Sequence, residues 1–230
     1  MSIAENIAKV RAEIEAAAHK AGRNAKEITL VGASKMNDAE ACRAAIAGGI
    51  DALGENRVQE MLQKLDQNAY HGIPLHFIGH LQRNKVKHVV GSVDLIQSVG
   101  SVSLIHEIEK VAASKNLIQD ILLEVNIAEE PAKTGFAPSE IFTAAEIALQ
   151  HPHLQVRGLM AIPPVNTSRD ANMQYFDRVF TLYVDINEKM FHNKLKCISM
   201  GMSGDYVDAI CAGATMVRVG TAIFGSRHYT

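Results

Sequence analysis

Short apolar runs rich in β-branched residues alternate along the chain with segments of helical composition. The runs are continuous rather than alternating with polar residues, which is typical of parallel strands buried on both faces. Strands that alternate with helical segments in this way predict repeated βαβ units. The predicted strands are residues 28–34, 50–54, 75–79, 94–99, 121–127, 154–162, 196–200 and 216–219.

An amphipathic helix is predicted before the first strand. Residues 2–21 place Ile3, Ile7, Val10 and Ile14 on one side of a helix with 3.6 residues per turn, and most charged residues lie elsewhere. Further helices are predicted between the strands, at residues 39–47, 57–66, 104–114, 139–150, 172–190 and 205–212.

Eight strand–helix units fill a chain of 230 residues, which is a typical size for a closed barrel of this kind. We therefore predict an α/β fold in which residues 1–230 form a single (β/α)8 TIM barrel domain with an extra N-terminal helix. The alternative is an open, doubly wound sheet, because that fold is built from the same βαβ units.

Composition narrows the function classes. The formal net charge of −2 provides no basic field for nucleic-acid phosphates, so we expect no nucleic-acid partner. No apolar run approaches the length of a membrane span, and the N-terminus carries charges throughout, so we expect neither a membrane anchor nor a signal peptide. The sequence contains no HExxH motif and no cysteine cluster, so we expect no metal. Three widely spaced cysteines are typical of reduced thiols in a cytoplasmic protein: Cys42, Cys197 and Cys211.

A barrel predicts that chemistry lies at the carboxyl ends of its strands. Lys35 stands there, directly after the apolar run ITLVGAS. Desolvation at the inner rim lowers the pKa of a lysine and makes its amine nucleophilic enough to form a Schiff base with an aldehyde. The alternative is a lysine whose amine only reaches solvent at the strand end.

Two glycine-rich turns follow the seventh and eighth predicted strands. In barrels of this class these two loops often form a phosphate site. Glycines let backbone N–H groups approach an anion, and hydroxyls add further donors. The alternative for Ser203 is that it only caps the following helix. A phosphate opposite a rim lysine indicates a phosphorylated aldehyde, a phosphorylated ketone or pyridoxal phosphate. The residues concerned are Gly201, Ser203, Gly204, Gly220 and Thr221.

Two further polar positions have more than one interpretation. Arg218 lies two residues before Gly220, so both point to the same face of the last strand, where the guanidinium would stand near a ligand. A salt bridge between adjacent strands is the alternative role for Arg218. Asn37 and Glu40 have the spacing of residues that cap the start of a helix.

Several motifs, taken in order, closely resemble the pyridoxal phosphate homeostasis protein family, a single-domain relative of the alanine racemase barrel. The resemblance spans nearly the whole chain, and the last two motifs are highly specific. The motifs are ITLVGASK (28–35), LGENRVQE (53–60), LHFIGHLQRNKVK (75–87), LLEVNIAEEPAKTGF (122–136), GLMAIPP (158–164), ISMGMSGDY (198–206) and GATMVRVGTAIFGSR (213–227).

The resemblance implies that Lys35 holds pyridoxal 5'-phosphate (PLP) as a Schiff base and that Arg218 faces the pyridine nitrogen. Lys133 matches a lysine of the family's K-[ST]-G-[FI] segment. The chain departs from the family where SKMND (34–38) replaces SKTKP, and this removes a second lysine that could assist cofactor loading or transfer. Other positions that match cofactor-contacting motifs are Asn56, Ser199, Ser203, Gly220 and Thr221.

The resemblance also bears on catalysis. An arginine near the pyridine nitrogen keeps that nitrogen unprotonated, which weakens the ring as an electron sink. Alanine racemase relatives take a second base, a tyrosine, from an additional β domain, which this chain has no residues left to build. We therefore predict no catalytic residues. The five tyrosines are predicted on helices or in the C-terminal tail: Tyr70, Tyr175, Tyr183, Tyr206 and Tyr229.

The predicted function is PLP homeostasis by a monomer that buffers the cofactor or delivers it to PLP-dependent apoenzymes. One alternative is an amino-acid racemase whose second base comes from a dimer partner. Another is a Schiff-base aldolase that acts on a sugar phosphate with the same lysine and phosphate loops.

Overall fold

The computed structural model describes residues 1–164 and 168–225, in which eight parallel strands close into one barrel in chain order. Each strand pairs with the next, and the last pairs with the first, so the predicted (β/α)8 fold is confirmed and an open sheet is excluded. The strands are β1 (Thr29–Ala33), β2 (Ala52–Glu55), β3 (Leu75–Phe77), β4 (Leu95–Val99), β5 (Gln119–Val125), β6 (Leu154–Ala161), β7 (Cys197–Ser199) and β8 (Met216–Val219).

Helices connect the strands, and the N-terminal helix precedes them as predicted. The N-terminal helix buries Ile7, Val10 and Ile14, the apolar stripe seen in the sequence. Its first turn is closed by a capping box between Ser2 and Glu5. The helices are α1 (Ile3–Lys20), α2 (Ala39–Ala47), α3 (Val58–Asp66), α4 (Val86–Val89), α5 (Val102–Ser114), α6 (Ile141–Leu149), α7 (Arg169–Phe191), α8 (Tyr206–Cys211) and α9 (Thr221–Phe224).

The element ends differ from the prediction by one or two residues at most strands. Ile78 and Met200 were predicted as strand residues, but each lies just beyond the end of its strand and is still buried. The rim loops therefore also contain buried apolar residues, which the pattern cannot distinguish from strand. Helices α4 and α9 were not predicted because four residues are too few to show a helical period. The start of α2 is capped by Asp38, which accepts from the Ala41 N–H at 2.8 Å, and not by Asn37.

A chain of polar side chains crosses the barrel interior. Arg218 donates to the Ser199 hydroxyl at 2.5 Å, and that hydroxyl donates to the Gln97 carbonyl oxygen at 2.7 Å. The Gln97 amide nitrogen then lies 3.0 Å from Nδ1 of His76 and 3.1 Å from the Met216 sulfur. These four polar residues are all buried, so each hydrogen bond in the chain also satisfies a group that has no access to water.

The row of hydrogen-bonded side chains inside the barrel determines the protonation state of His76. Since the Gln97 oxygen accepts from Ser199, its amide nitrogen faces His76 as a donor, and Nδ1 must accept. Burial lowers the pKa of His76 to about 4, although the nearby Asp94 acts in the opposite direction. His76 is therefore neutral at physiological pH.

We expect the free energy of unfolding to fall in mild acid because of His76. In the unfolded chain this histidine takes up a proton below its ordinary pKa of about 6.5, whereas the folded protein resists protonation until about pH 4. The contribution of His76 to the free energy of unfolding is fully present above pH 6.5 and is lost as the pH falls towards 4. The free energy of unfolding should be measured with urea at pH 7.5 and at pH 4.5. Between these two pH values it should fall by about 2.5 kcal/mol less in His76→Gln than in the wild type.

The exposed His71 provides the control. His71→Asn should retain the wild-type difference between the two pH values. An equal difference in His76→Gln and the wild type would contradict a neutral, buried His76.

Candidate functional site

A cavity of about 370 Å³ opens at the carboxyl ends of β1, β7 and β8. Five of the residues that match cofactor-binding positions of the family line it together, although they come from distant parts of the chain. The loop after β7 also contributes Met202 and Gly204, and α9 contributes Phe224. The five are Lys35, Ser203, Arg218, Gly220 and Thr221.

Lys35 is half-buried in a tight turn that follows β1. The Asn37 N–H donates to the Ser34 carbonyl at 3.1 Å, and the Asn37 amide donates to the Lys35 carbonyl at 3.0 Å. Between them, Met36 has a φ of 63°, in the left-handed region that a residue with a side chain rarely adopts. The turn ends β1 abruptly, so Lys35 stands at the rim of the cavity.

The loops after β7 and β8 are joined through Ser203. Its hydroxyl oxygen accepts from the Gly220 N–H at 3.0 Å and from the Ala222 N–H at 3.4 Å. Ser203 therefore holds the start of α9 and does not cap α8, which was the alternative role. Because both lone pairs accept, the hydroxyl proton is available to an anion in the cavity.

The backbone of the first loop requires glycine at position 201. Gly201 has a φ of 91°, and a Cβ there would lie 2.6 Å from the Cβ of Ala209. Asp205 also holds this loop, because its carboxylate accepts from the Met202 N–H at 2.6 Å. The loop is thus shaped by its own contacts before any ligand is considered.

Arg218 places a buried positive charge at the floor of the cavity. Its guanidinium donates to the Ser199 hydroxyl and, at 2.9 Å, to the Ala161 carbonyl. In residues 1–164 and 168–225 no carboxylate lies within ion-pair distance of it, so it links strands through neutral acceptors and not through a salt bridge. Burial lowers the pKa of Arg218 to about 10, with Asp205 and Glu124 opposing the shift, and the side chain stays charged at neutral pH.

Three of the residues that match positions in the family's motifs do not line this cavity. Ser199 lies beneath it, inside the barrel, where it supports Arg218. Asn56 lies at the end of β2, and its side-chain oxygen is buried without a hydrogen-bond partner. Lys133 lines a separate cavity of about 510 Å³ on the other side of the barrel mouth and pairs with Glu130 at 2.7 Å.

The second cavity contains a carboxylate that the sequence analysis missed. Glu124 on β5 is buried, and both of its oxygens accept from the Thr134 hydroxyl, at 3.0 and 3.2 Å. Burial raises the pKa of Glu124. His80 and Arg83 also line this cavity. The available signal was a single acidic residue within the apolar run LLEVN.

Among the residues that the structure describes, no group of three or more His, Cys, Asp or Glu side chains is arranged to hold a metal ion. Within the same part of the chain, no helix is both long enough and apolar enough to cross a membrane.

The first cavity combines three kinds of group that a small phosphorylated aldehyde requires. Lys35 supplies an amine, Ser203 and Thr221 supply hydroxyls beside backbone N–H groups, and Arg218 supplies a fixed positive charge. Pyridoxal phosphate has an aldehyde, a phosphate and a ring nitrogen that these groups can meet. The unpartnered buried oxygen of Asn56 is a further polar group at the same rim.

Comparison with known proteins agrees with this chemistry. Residues 3–228 match the family described as alanine racemase, N-terminal domain. Pyridoxal phosphate homeostasis proteins of Aquifex aeolicus and Pseudomonas aeruginosa are each 39% identical to this chain, covering 100% and 97% of those proteins and at least 99% of this one. The protein of that name from Escherichia coli K12 is 35% identical, with 99% of this chain and 98% of that protein covered.

Solved structures give the same result. PipY of Synechococcus elongatus with PLP bound matches with a TM-score of 0.85 and 29% identity, covering 97% of this chain and 100% of PipY. Alanine racemase of Clostridium difficile shares the fold, with a TM-score of 0.72 at 15% identity, and 99% of this chain covers only 57% of that enzyme. The chain thus belongs to the pyridoxal phosphate homeostasis protein family, whose fold is that of the alanine racemase N-terminal domain.

Proposed function

We propose that this protein holds PLP covalently on Lys35 and takes part in intracellular PLP homeostasis by buffering the cofactor or delivering it to apoenzymes. The strongest support for this proposal is that one cavity is lined by Lys35, Arg218, Ser203 and Thr221. The names of the close relatives and the PLP-bound state of PipY support the same ligand.

We further propose that the protein acts as a single barrel domain and as a monomer in the cytoplasm. This chain supplies an amine, two hydroxyls and a guanidinium to the Lys35 cavity, which are the groups that the proposed ligand requires, so a second copy is not needed to provide them. The three cysteines are free thiols, as expected for a reducing compartment.

Each group in the cavity has a distinct role in this proposal. When bound, PLP supplies an aldehyde that condenses with a lysine amine with loss of water, and a ring that accepts electrons. Lys35 provides that amine from the rim. The hydroxyls of Ser203 and Thr221 and the N–H groups near them bind the phosphate. Arg218 orients the ring from the floor of the cavity. Because it stays charged at neutral pH, it would donate an N–H hydrogen bond to the ring nitrogen without giving up the proton, so the nitrogen stays unprotonated.

The surroundings of the site favour binding over turnover. No described tyrosine lines the Lys35 cavity, and Tyr229 lies outside the described residues. Tyr70 was predicted on a helix or in the tail, but it lies in the turn after α3, where its buried hydroxyl donates to Glu55 at 3.0 Å. Tyr206 lies on α8, and its hydroxyl donates to Glu13 on α1. A racemase that uses a tyrosine as its second base would therefore need one from outside the described residues, such as a tyrosine of a partner subunit.

Replacing Lys35 tests the covalent link. We expect Lys35→Ala to fold normally but to lose the absorbance band of the covalently bound cofactor and to bind PLP at least about tenfold more weakly, a loss of about 1.4 kcal/mol. Borohydride reduction should label Lys35 in the wild type. Lys133→Ala is the matched control and should keep the band. An unchanged band in Lys35→Ala would show that another lysine carries the cofactor.

The phosphate loops are tested by comparing two ligands. Ser203→Ala combined with Thr221→Val should weaken PLP far more than pyridoxal, which has the same ring and aldehyde but no phosphate. Each lost hydrogen bond to a charged group is worth about 1.5–3 kcal/mol, so the pair costs about a hundredfold or more in the Kd of PLP. Equal losses for the two ligands in a titration would place the phosphate elsewhere.

A third prediction concerns catalysis. Incubation of PLP-loaded protein with D- or L-amino acids in deuterated water should give at most slow exchange of the α-proton. Typical enzymes turn over about 10 times per second, and loss of a placed general base costs about 10²–10⁴-fold. The same preparation should release PLP to an apoenzyme acceptor. Racemization at several turnovers per second would refute the carrier function and favour the racemase alternative.

A further inference from the structure

Both peptide groups that flank Lys35 are held by side chains of α3. The Ser34 carbonyl, which precedes Lys35, accepts from the Lys64 ammonium at 2.9 Å. The Met36 N–H, which follows Lys35, donates to the Glu60 carboxylate at 2.5 Å. Because the two peptide planes on either side of Lys35 are fixed, the direction in which its side chain leaves the backbone is fixed as well.

The two α3 side chains are also bound to each other and to β2. The Lys64 ammonium donates to Glu60 at 2.8 Å and to Glu55 at 2.7 Å, in addition to Ser34. These three contacts use all three donors of the ammonium group. The side chains of Lys64 and Glu55 are only 5% and 0% exposed, so solvent does not compete for these bonds.

Glu55 holds the same turn from a second side. One of its carboxylate oxygens accepts from the Ser34 hydroxyl at 2.6 Å and from the Tyr70 hydroxyl at 3.0 Å. Ser34 is therefore fixed through both its carbonyl and its hydroxyl. The other oxygen of Glu55 is buried without a partner, so the arrangement costs desolvation energy that stability alone does not explain.

The backbone at Met36 requires such support. Its φ of 63° is unfavourable for a residue with a side chain, at a cost of about 1–3 kcal/mol. The Met36 side chain is 51% exposed, so burial of that side chain does not hold the conformation. The hydrogen bond that the Met36 N–H donates to Glu60 holds this conformation, together with the two bonds that Asn37 makes within the turn.

Burial of a charged pair is not in itself an efficient way to stabilise a fold. A buried ion pair is often no more stable than well-packed apolar residues of similar volume, because both charges lose their hydration. In this protein the buried pair of Lys64 and Glu55 lies directly against the turn that carries Lys35. This placement indicates that the buried charges serve to set the direction of the Lys35 side chain.

We propose that Glu55, Glu60 and Lys64 are positioning residues that fix the turn around Lys35 and aim its amine into the cavity. This inference rests on the proposed function, in which Lys35 binds the aldehyde of PLP. These three residues do not contact the ligand in this proposal: Lys64 and Glu60 act through the backbone of residues 34–36, and Glu55 acts through the Ser34 hydroxyl and Lys64.

Two phosphorylated ligands separate positioning of Lys35 from a general structural role. PLP needs the Lys35 amine, whereas pyridoxine 5'-phosphate has the same ring and phosphate but an alcohol in place of the aldehyde. In Lys64→Met we expect the Kd of PLP to rise about tenfold or more and that of pyridoxine 5'-phosphate to change less than about twofold. The absorbance band of the covalently bound cofactor should also form more slowly.

Glu60 provides a milder pair of variants, because its side chain is 19% exposed and its loss leaves the Met36 N–H accessible to water. Glu60→Ala should reduce the preference for PLP over pyridoxine 5'-phosphate. Glu60→Gln should restore most of it, since an amide oxygen still accepts from Met36. Lys189→Met, which removes a surface ion pair with Asp185 on α7, is the matched control and should change neither affinity.

A double-mutant cycle completes the test. In a Lys35→Ala background, Lys64→Met should change the affinity for PLP less than about twofold, because there is no amine left to position. Equal weakening of both ligands, or the same weakening without Lys35, would overturn the positioning role and leave the proposed function intact. A wild type that binds both ligands equally well would overturn the proposed function, and the positioning of Lys35 with it.

Discussion

The pairing of β1 with β8 is the constraint on which the rest of the structure depends. Thr29 to Gly32 pair in register with Met216 to Val219, and this ladder closes the sheet. Because all eight strands are parallel, closure brings every strand's carboxyl end to one rim. The turn after β1 then lies against the loops after β7 and β8. Lys35, near the start of the chain, meets Ser203 and Gly220, near its end, only through this ladder.

Arg218 and Lys64 can each carry a buried positive charge because hydrogen-bond acceptors surround them. Arg218 is only 3% exposed, yet its donors reach a hydroxyl and a carbonyl, and its pKa falls only to about 10. Lys64 is equally buried, but it is bound by two carboxylates and a carbonyl. One cation thus remains without an ion-pair partner in the described part of the chain and faces the cavity, while the other is neutralised behind the Lys35 turn.

The same barrel occurs in proteins with different activities, so fold alone does not decide function. Alanine racemase of Clostridium difficile shares the architecture at 15% identity and is much longer than this chain. In the present protein the residues around the cavity bear on function: a buried arginine lies at its floor, and no described tyrosine lines its walls. The proposed carrier function follows from those surroundings and from the family to which the chain belongs.

The sequence by itself determined the barrel, the order of its elements and most of the polar residues that line the Lys35 cavity. Continuous apolar runs indicate strands that are buried on both faces. The rule that chemistry lies at the carboxyl ends of barrel strands then identified Lys35, Ser203 and Thr221 from the sequence alone. Arg218 followed from its alternation with Gly220. These features are local, or follow from a rule that every closed parallel barrel obeys.

Only the tertiary structure decided which side chains meet across the barrel mouth. In the structure Lys133 lines a separate cavity, and the Asn37 side chain forms a hydrogen bond within the turn around Lys35. The Tyr70 hydroxyl donates to Glu55. The tertiary structure also joined Lys64 of α3 to the carbonyl before Lys35. Such contacts depend on the rotation of each helix against the sheet and on the path of each loop. The hydrophobic pattern of a single segment contains neither, because both are set by packing between segments distant in the chain.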